Sequence, residues 1–225
     1  MIVLSLGGSL IIPDKIDSSF LKQFKKIILK NTKKYKFIII CGGGTIARKY
    51  ISVLKDLGLN EKFQSFSGIS ATRMNARFMS YIFKINPEKG IPHTLKTLKK
   101  YIKNQDIVFC GALEYQPNQT SDSTAAEIAK KFNSIFINLT NVSGLHDKNP
   151  KKYKNSKFIP KISWKDFYKM ANKETFKPGQ HFVLDQTAAK TIMENKTTTY
   201  ILGKNLNNLD AVLNNKKFKG TLIRD

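Results

Sequence analysis

Short apolar runs that end at glycine are the feature of this sequence that most restricts its fold. Three such runs cover residues 2–6, 37–41 and 107–110, and glycine follows each of them directly. Strands that are apolar along almost their whole length are buried on both faces, as in parallel sheets. Stretches with the 3.6-residue period of helices separate the runs. The pattern therefore predicts an α/β fold, with a mostly parallel central sheet covered by helices on both faces.

The remaining elements continue the same alternation. The 225 residues contain no internal repeat and no long linker, so a single domain over residues 1–225 is predicted. After residue 141 the pattern loosens, because proline, lysine and asparagine become frequent there. Strands are predicted at 2–6, 37–41, 106–110, 134–139, 198–202 and 220–223, and helices at 18–32, 45–56, 66–84, 121–132, 186–195 and 206–214.

The net charge of +23 comes from 39 Lys and Arg residues against 16 Asp and Glu residues. Only four of the basic residues are arginine, the side chain that nucleic-acid readers use for bidentate contacts. No zinc-finger spacing or aromatic RNA-binding strand accompanies the lysines. The charge is therefore predicted to be spread over solvated faces, with a non-specific affinity for polyanions and no specific nucleic-acid partner.

The positions of the cysteines and the hydropathy of the chain indicate a cellular compartment. Cys41 and Cys110 each close an apolar run, where a free thiol behaves as a small buried hydrophobe. This use of cysteine is typical of a reducing compartment. No apolar run approaches the roughly 18 residues that a membrane helix needs. A soluble, cytoplasmic protein without a membrane partner is predicted.

Small residues follow the carboxyl ends of three predicted strands. Residues 7–9 are Gly-Gly-Ser and residues 42–45 are Gly-Gly-Gly-Thr, while Gly111 opens a polar loop before the next helix. Parallel sheets bind ligands at the carboxyl ends of their strands. Glycine lets backbone N–H groups approach an anion closely, and a helix N-terminus adds unpaired donors. The three clusters together predict a crevice for several phosphate groups.

Two arginines are candidates for binding in that crevice. Arg48 lies one helical turn beyond Gly44, so its guanidinium group can reach back over the same anion and bind it in a bidentate manner. Arg73, in the next predicted helix, is the second candidate.

Other chemistries fit the sequence less well. The P-loop motif G-x-x-x-x-G-K-[ST] does not occur. Residues 42–47 satisfy the loose dinucleotide pattern G-x-G-x-x-A, but the nearest acidic residue, Glu61, does not end the next strand. The three histidines, His93, His146 and His181, lack the spacing of zinc ligands. There is no G-x-S-x-G nucleophile motif.

Six short motifs along the chain can be compared with those of known families. The most specific is residues 41–50 (C-G-G-G-T-I-A-R-K-Y), and a second is residues 68–76 (G-I-S-A-T-R-M-N-A). The others are residues 6–10 (L-G-G-S-L), 116–122 (Q-P-N-Q-T-S-D), 140–146 (T-N-V-S-G-L-H) and 184–190 (L-D-Q-T-A-A-K). In type and in order they resemble the amino acid kinase family, and within it the archaeal-type uridylate (UMP) kinases.

The resemblance implies a fold, an assembly and a reaction. The fold would be a three-layer αβα sandwich, commonly assembled as a homohexamer. Residues up to about 135 would form the side of the acceptor phosphate, and those from about 136 the ATP side, in one compact unit. The reaction would transfer the γ-phosphoryl group of ATP to UMP, giving UDP for pyrimidine nucleotide biosynthesis. Mg²⁺ would arrive on the nucleotide, without dedicated protein ligands.

The resemblance also implies roles for individual residues. The catalytic candidates are Arg48, Asp122 and Lys190. The residues expected to bind ATP are Gly8, Ser9, Gly44, Arg48, Thr140, Asn141, His146 and Asn149. The residues expected to bind UMP are Gly43, Ser65, Pro117, Asn118, Gln119, Thr120 and Ser121.

Several positions depart from the family pattern. Ser5 stands where many members carry a lysine, and Ser65 where an acidic residue is expected to contact the UMP ribose. Ser143, His146 and Asn149 replace an aspartate, a tyrosine and another aspartate in the ATP-side loop.

Two alternatives follow from these features. Another small-phosphate kinase of the same fold is one, although isopentenyl phosphate kinases carry a histidine where this chain has Arg48. A non-catalytic module that binds nucleotide or polyanions is the other, since three acidic residues are missing and the net charge is +23.

Overall fold

The computed structural model describes residues 1–225 except 14, 118, 149, 151–152 and 174–182. Its strands are β1 (Ile2–Leu6), β2 (Phe37–Cys41), β3 (Ile107–Cys110), β4 (Ile135–Leu139), β5 (Leu145–His146), β6 (Phe158–Ile159), β7 (Lys161–Ile162), β8 (Thr199–Leu202) and β9 (Thr221–Ile223). Its helices are α1 (Gly8–Ile11), α2 (Ser18–Asn31), α3 (Gly44–Asp56), α4 (Glu61–Ile82), α5 (Leu95–Asn104), α6 (Ser121–Lys131), α7 (Trp164–Lys173), α8 (Gln186–Glu194) and α9 (Leu206–Leu213), with a 3₁₀ turn at Pro87–Lys89.

Seven strands form the central sheet in the order β3-β2-β1-β4-β8-β9-β7. The strand pairs from β3 through β8 are parallel, as is the pair of β7 with β9, while β8 and β9 are antiparallel. Strands β5 and β6 form a separate antiparallel hairpin. Because β1, β2, β3, β4 and β8 run in the same direction, the loops that follow them meet at one edge of the sheet.

Alternate residues of each strand face two separate cores. Leu4 and Ile39 belong to one core, which α2, α4 and α9 cover. Val3 and Ile38 belong to the other core, which α5, α6, α7 and α8 cover. The two cores make a three-layer αβα arrangement, which confirms the predicted fold class. No helix in the described part of the chain is long and apolar enough to span a bilayer.

Besides the single turn of α1, three longer helices differ from their sequence-based predictions. Helix α4 begins at Glu61 and not at residue 66, because the side chain of Asn60 accepts hydrogen bonds from the N–H groups of Lys62 and Phe63, at 3.1 and 3.3 Å. Helices α5 and α7 were not predicted. Both are short amphipathic helices of ten residues, which bury Leu98 and Ile102 in α5 and Phe167 and Ala171 in α7.

Candidate active site

The loops after β1 and β2 pack against each other backbone to backbone. The N–H group of Gly42 donates to the Leu6 carbonyl at 2.9 Å. A Cβ atom on Gly8 would lie 2.1 Å from the Gly44 nitrogen and 2.6 Å from the Gly42 oxygen. Gly44 has φ +65°, a conformation that other residues rarely adopt. The close approach leaves no room for side chains at these glycines, so the loops present backbone groups.

The loop after β4 completes the same edge of the sheet. The N–H group of Gly7 donates to the Leu139 carbonyl at 2.9 Å, and the N–H group of Thr140 donates to the Leu202 carbonyl at 2.9 Å. The structure therefore brings the predicted residues Gly8, Gly44 and Thr140 to one edge. Ser9 lies half-buried in α1, and Asn141 is exposed directly after Thr140. This is the arrangement expected for several phosphate cradles side by side.

Helix α4 holds the loop after β3. The Thr72 hydroxyl accepts from the Ala112 N–H group at 3.0 Å. The Arg73 guanidinium group donates to the carbonyls of Ala112, at 3.3 Å, and of Leu113. A Cβ atom on Gly111 would lie 2.5 Å from the Thr72 hydroxyl, so only glycine fits beneath the helix. Arg73, the second candidate for anion binding, thus has a structural task in fixing this loop.

The N-termini of α6 and α8 meet at a shared carboxylate. Thr120 is the N-cap of α6, and its hydroxyl accepts from the N–H groups of Asp122 and Ser123. Asp185 is the N-cap of α8 and accepts from the Ala188 N–H group at 2.8 Å. The same Asp185 carboxylate accepts from the hydroxyls of Thr120 and, at 2.7 Å, of Ser123. Asp185 therefore joins the loop predicted to bind UMP to the second half of the chain.

Asp122 lies below these loops, next to β1. The Ser5 hydroxyl donates to its carboxylate at 2.7 Å. Burial raises the pKa of Asp122 from 3.8 to about 7, the Ser5 hydrogen bond opposes this change, and the nearby Asp185 adds to it. Near neutral pH the carboxyl group is therefore divided between its protonated and ionised forms.

The raised pKa makes Asp122 a source of pH-dependent stability. Between about pH 4 and pH 7 the folded state binds more proton at this site than the unfolded state, so the contribution of Asp122 to stability falls as pH rises and levels off above 7. Asparagine does not titrate, so the stability of the Asp122→Asn variant lacks this decrease with rising pH. We expect its free energy of unfolding to rise relative to the parent by about 2–4 kcal/mol from pH 4 to pH 8, since one pKa unit is about 1.4 kcal/mol.

Urea unfolding of both proteins at several pH values measures this difference. Asp56→Asn is the matched control, since Asp56 is exposed at the end of α3 and its replacement should leave no such slope. If the free energies of unfolding of Asp122→Asn and the parent differ by the same amount at every pH from 4 to 8, Asp122 titrates as an ordinary carboxyl group.

Arg48 and Lys190, the cationic residues predicted to be catalytic, lie on different helices. Arg48 is exposed on α3, and its guanidinium group donates to the Thr45 hydroxyl at 3.1 Å, at the rim of the glycine loop. Among the described residues no carboxylate forms an ion pair with it. Lys190 instead lies on α8, with its ammonium group 3.8 Å from Glu194, one turn further from the helix N-terminus. The structure gives Lys190 no contact with the glycine loops, so its catalytic role stays a prediction.

The ATP-side residue His146 lies in the hairpin of β5 and β6. Its Nδ1 atom is 3.1 Å from the Ser156 hydroxyl, and its ring meets that of Phe158 edge to face at 5.4 Å. The hairpin is attached to the sheet by Thr221, whose hydroxyl accepts from the Leu145 N–H group at 2.8 Å. Asn149 lies outside the described residues.

Two of the residues predicted to bind UMP lie at the first half of α4, Gly43 beside it and Ser65 on it. A Cβ atom on Gly43 would lie 2.4 Å from the Ala47 Cβ atom of α3 and 3.5 Å from both the Gly68 oxygen and a Thr72 methyl group, so Gly43 lies between α3 and α4. Phe66 of α4 stacks on Tyr115, with ring centroids 5.3 Å apart, and so holds the loop that follows β3. Ser65, Gln119, Thr120 and Ser121 are half-buried, Pro117 is exposed, and Asn118 lies outside the described residues.

The fold and site define an α/β protein that presents backbone donors and an arginine at the carboxyl edge of a parallel sheet. The family model described as the amino acid kinase family matches residues 1–203, and the chain belongs to that family. It is 34% identical to the uridylate kinase of Thermoplasma volcanium over 227 residues, covering 100% of this chain and 97% of that protein. It is 32% identical to the uridylate kinase of Archaeoglobus fulgidus over 213 residues, covering 94% of each chain.

Solved structures agree with this relationship. The crystal structure of uridylate kinase from Archaeoglobus fulgidus superimposes with a TM-score of 0.84 at 29% identity, over 99% of both chains. The UMP kinase from Ureaplasma parvum superimposes with a TM-score of 0.78 at 24% identity, over 100% of this chain and 98% of that one, which supports the fold. The family resemblance of the sequence motifs is thereby confirmed.

Proposed function

We propose that this protein is a uridylate kinase, which transfers the γ-phosphoryl group of ATP to UMP and releases ADP and UDP. The observation that carries the proposal is the full-length relationship, at 34% identity, to uridylate kinases. The site supports it independently, because phosphoryl transfer between nucleotides needs several phosphate cradles in one crevice. A uridylate kinase supplies UDP to pyrimidine nucleotide biosynthesis.

Phosphoryl transfer requires that the two substrates are positioned and that their negative charge is compensated. An ionised phosphate oxygen of UMP is already a nucleophile, so no general base is required. The two substrates must be held in line, with their negative oxygens facing hydrogen-bond donors. In this proposal the loops at Gly8, Gly44 and Thr140 hold ATP, and Gly43 with residues 117–121 holds UMP. Arg48, at the rim of the glycine loop, offsets charge on the transferring group.

Mg²⁺ is expected to accompany ATP and to neutralise charge on its phosphate oxygens. Among the described residues, no group of three or more His, Cys, Asp and Glu side chains is placed to hold a metal ion. The carboxylate of Asp185 already accepts from Thr120, Ser123 and Ala188, and that of Asp122 accepts from Ser5. The donor set therefore suits a metal whose ligands come largely from the nucleotide and water.

A coupled ADP-release assay with Mg-ATP tests the activity. The acceptors are UMP, CMP, dUMP, GMP and isopentenyl phosphate, and mass spectrometry identifies the product. We expect fast turnover with UMP and formation of UDP. Turnover with isopentenyl phosphate alone would assign the chain to another kinase of the fold. Absence of turnover on all five, with ATP still raising the Tm, would indicate a non-catalytic nucleotide-binding module.

A homo-oligomer, with the hexamer implied by the family resemblance, is part of the proposal. Helix α3 supports it, because Ala47 is the only buried residue among its 13. Two large side chains on it are solvent-exposed, Tyr50 by 49% and Val53 by 56%, and so is Leu57, the residue that follows the helix, by 71%. Phe63 of α4 is exposed by 57%. An apolar face of this size on a single chain favours burial against a second copy.

The double variant Val53→Glu, Leu57→Glu is expected to dissociate the oligomer, because four carboxylates would be buried in each symmetric contact. Light scattering after size-exclusion chromatography should show the mass falling by at least half, towards the 25.6 kDa of one chain. Leu29→Glu, at an exposed apolar position of α2, should leave the parent mass unchanged. A parent that elutes at 25.6 kDa would contradict the proposed assembly.

A cytoplasmic location completes the proposal. Cys41 and Cys110 are free and buried, and burial raises the pKa of both thiols. Thiols of this kind are typical of proteins in reducing compartments.

A further inference from the structure

A buried amide of α4 reaches the glycine loop that follows β2. Asn75 is 1% exposed, and its Nδ2 atom donates to the Gly42 carbonyl at 2.7 Å. Both Asn75 and Gly42 lie beneath the surface of the loop, whereas Gly43 is half-buried at its edge. The hydrogen bond therefore attaches the inner side of the loop to a rigid helix of 22 residues.

The bond determines the orientation of the peptide that follows Gly42. A trans peptide is planar, so its C=O and N–H groups point in opposite directions. No cis peptide bond occurs among the described residues. Because Asn75 holds the Gly42 carbonyl towards the interior, the N–H group of Gly43 points away from Asn75, towards the outer side of the loop. Two neighbouring glycines would otherwise let this peptide rotate easily.

The other end of the Asn75 side chain shows that stability alone does not account for the residue. Its Oδ1 atom is buried and has no hydrogen-bond partner in the described part of the chain. A buried acceptor without a partner costs stability. Such a group is expected where the remaining contact has a function, here the contact with Gly42.

We propose that Asn75 is a positioning residue that fixes the Gly42–Gly43 peptide, so that the Gly43 N–H group faces the phosphate of the acceptor nucleotide. The assignment to the acceptor follows from the neighbours of each glycine. The side of Gly43 that would carry a Cβ faces Ala47 of α3 together with Gly68 and Thr72 of α4, while that of Gly44 faces Gly8 of the β1 loop. This inference rests on the proposed uridylate kinase activity.

The Asn75→Ala and Asn75→Asp variants test the role. Alanine removes the donor, and aspartate keeps the shape but places a carboxylate oxygen against the Gly42 carbonyl. A hydrogen bond to a charged phosphate is then lost, so we expect the KM for UMP to rise by about 10- to 100-fold. The KM for ATP should stay within about twofold, because the Gly8–Gly44 contact is untouched. Calorimetric titration with UMP alone should show the same loss of affinity in Asn75→Ala.

Asn31→Ala is the matched control. Asn31 is also 1% exposed, and its Nδ2 atom donates to a backbone carbonyl, that of Ile27, at 2.9 Å within α2. The Asn31→Ala variant should have a lower Tm than the parent and unchanged KM values for UMP and ATP. For Asn75→Ala the Tm should fall less than for Asn31→Ala, because the first change exchanges one unpartnered acceptor, Oδ1, for another, the Gly42 carbonyl, whereas the second also removes hydrogen bonds with Asp210 and Asn214.

The outcomes separate this role from the proposed activity. An active parent with an unchanged KM for UMP in Asn75→Ala would overturn the positioning role alone. Equal losses for UMP and ATP, with a Tm decrease like that of Asn31→Ala, would also overturn it and assign Asn75 to stability. A parent that neither binds nor phosphorylates UMP would overturn both proposals.

Discussion

Replacing Gly8 with alanine is expected to lower kcat/KM for UMP by at least ~10³-fold, because it separates the two glycine loops and so misplaces several phosphate donors at once. The added methyl group would lie 2.1 Å from the Gly44 nitrogen and 2.6 Å from both the Gly42 oxygen and the Gly44 Cα. All three atoms belong to backbone, so no side-chain rotation can relieve the clash. Steady-state kinetics and the Tm measure the effect.

Gly58→Ala provides the control for Gly8→Ala. Gly58 lies in the turn after α3, where nothing approaches within 4 Å of an added Cβ atom, but its φ is +74°. Alanine at such a φ costs on the order of 1 kcal/mol of stability without touching the site. We expect Gly58→Ala to lower the Tm and to keep the parent kcat/KM. A folded Gly8→Ala variant with kcat/KM within tenfold of the parent would refute the two-loop cradle.

Removing the guanidinium group of Arg48 is expected to lower kcat/KM by at least ~10²-fold, which corresponds to about 2.7 kcal/mol of transition-state stabilisation. The group lies at the rim of the glycine loop, where it donates to the Thr45 hydroxyl at 3.1 Å, and among the described residues no carboxylate forms an ion pair with it. Its charge is therefore free to act on a phosphate. Arg48→Ala and Arg48→Lys, compared by kcat and KM, measure the effect.

Lys49 is the matched control for Arg48. It is the next residue on α3 and is also exposed, but it points to a different side of the helix. Lys49→Ala should keep kcat/KM within about twofold of the parent. Arg48→Lys should recover only part of the activity, because an ammonium group cannot bind a phosphate in a bidentate manner. Parent-like kinetics of a folded Arg48→Ala variant would remove Arg48 from the site.

The central strands were predictable because each is a run of residues that must avoid water on both sides. Residues 2–6 and 37–41 are strands with the predicted bounds, and 107–110 begins one residue later than predicted. Helices α5 and α7 were not predicted although both are amphipathic, because each is only ten residues long and rich in lysine. Packing against the sheet stabilises them.

The candidate site, like the fold, was predictable only where its features are local in the sequence. Glycine after a buried strand and an arginine one turn into the next helix are local features, so the loops at 7–9 and 42–45 and the residue Arg48 could be read directly. The acceptor-loop residues and Lys190 depended on the family resemblance and stay predictions. Asn75 stood inside a recognised motif, yet nothing nearby in the sequence indicates that its amide binds Gly42, 33 residues earlier.

The sequence by itself therefore determined the layers, the order of most elements and the glycine loops at the carboxyl edge of the sheet, since these follow from hydrophobic periodicity and from the conformations open to glycine. Only the tertiary structure decided which groups meet: Ser5 with Asp122, Asp185 with Thr120 and Ser123, and Asn75 with Gly42. These contacts join positions between 33 and 117 residues apart. The physical reason is that a buried polar group takes whichever partner the packed helices and strands bring within about 3 Å, and sequence spacing does not encode that distance.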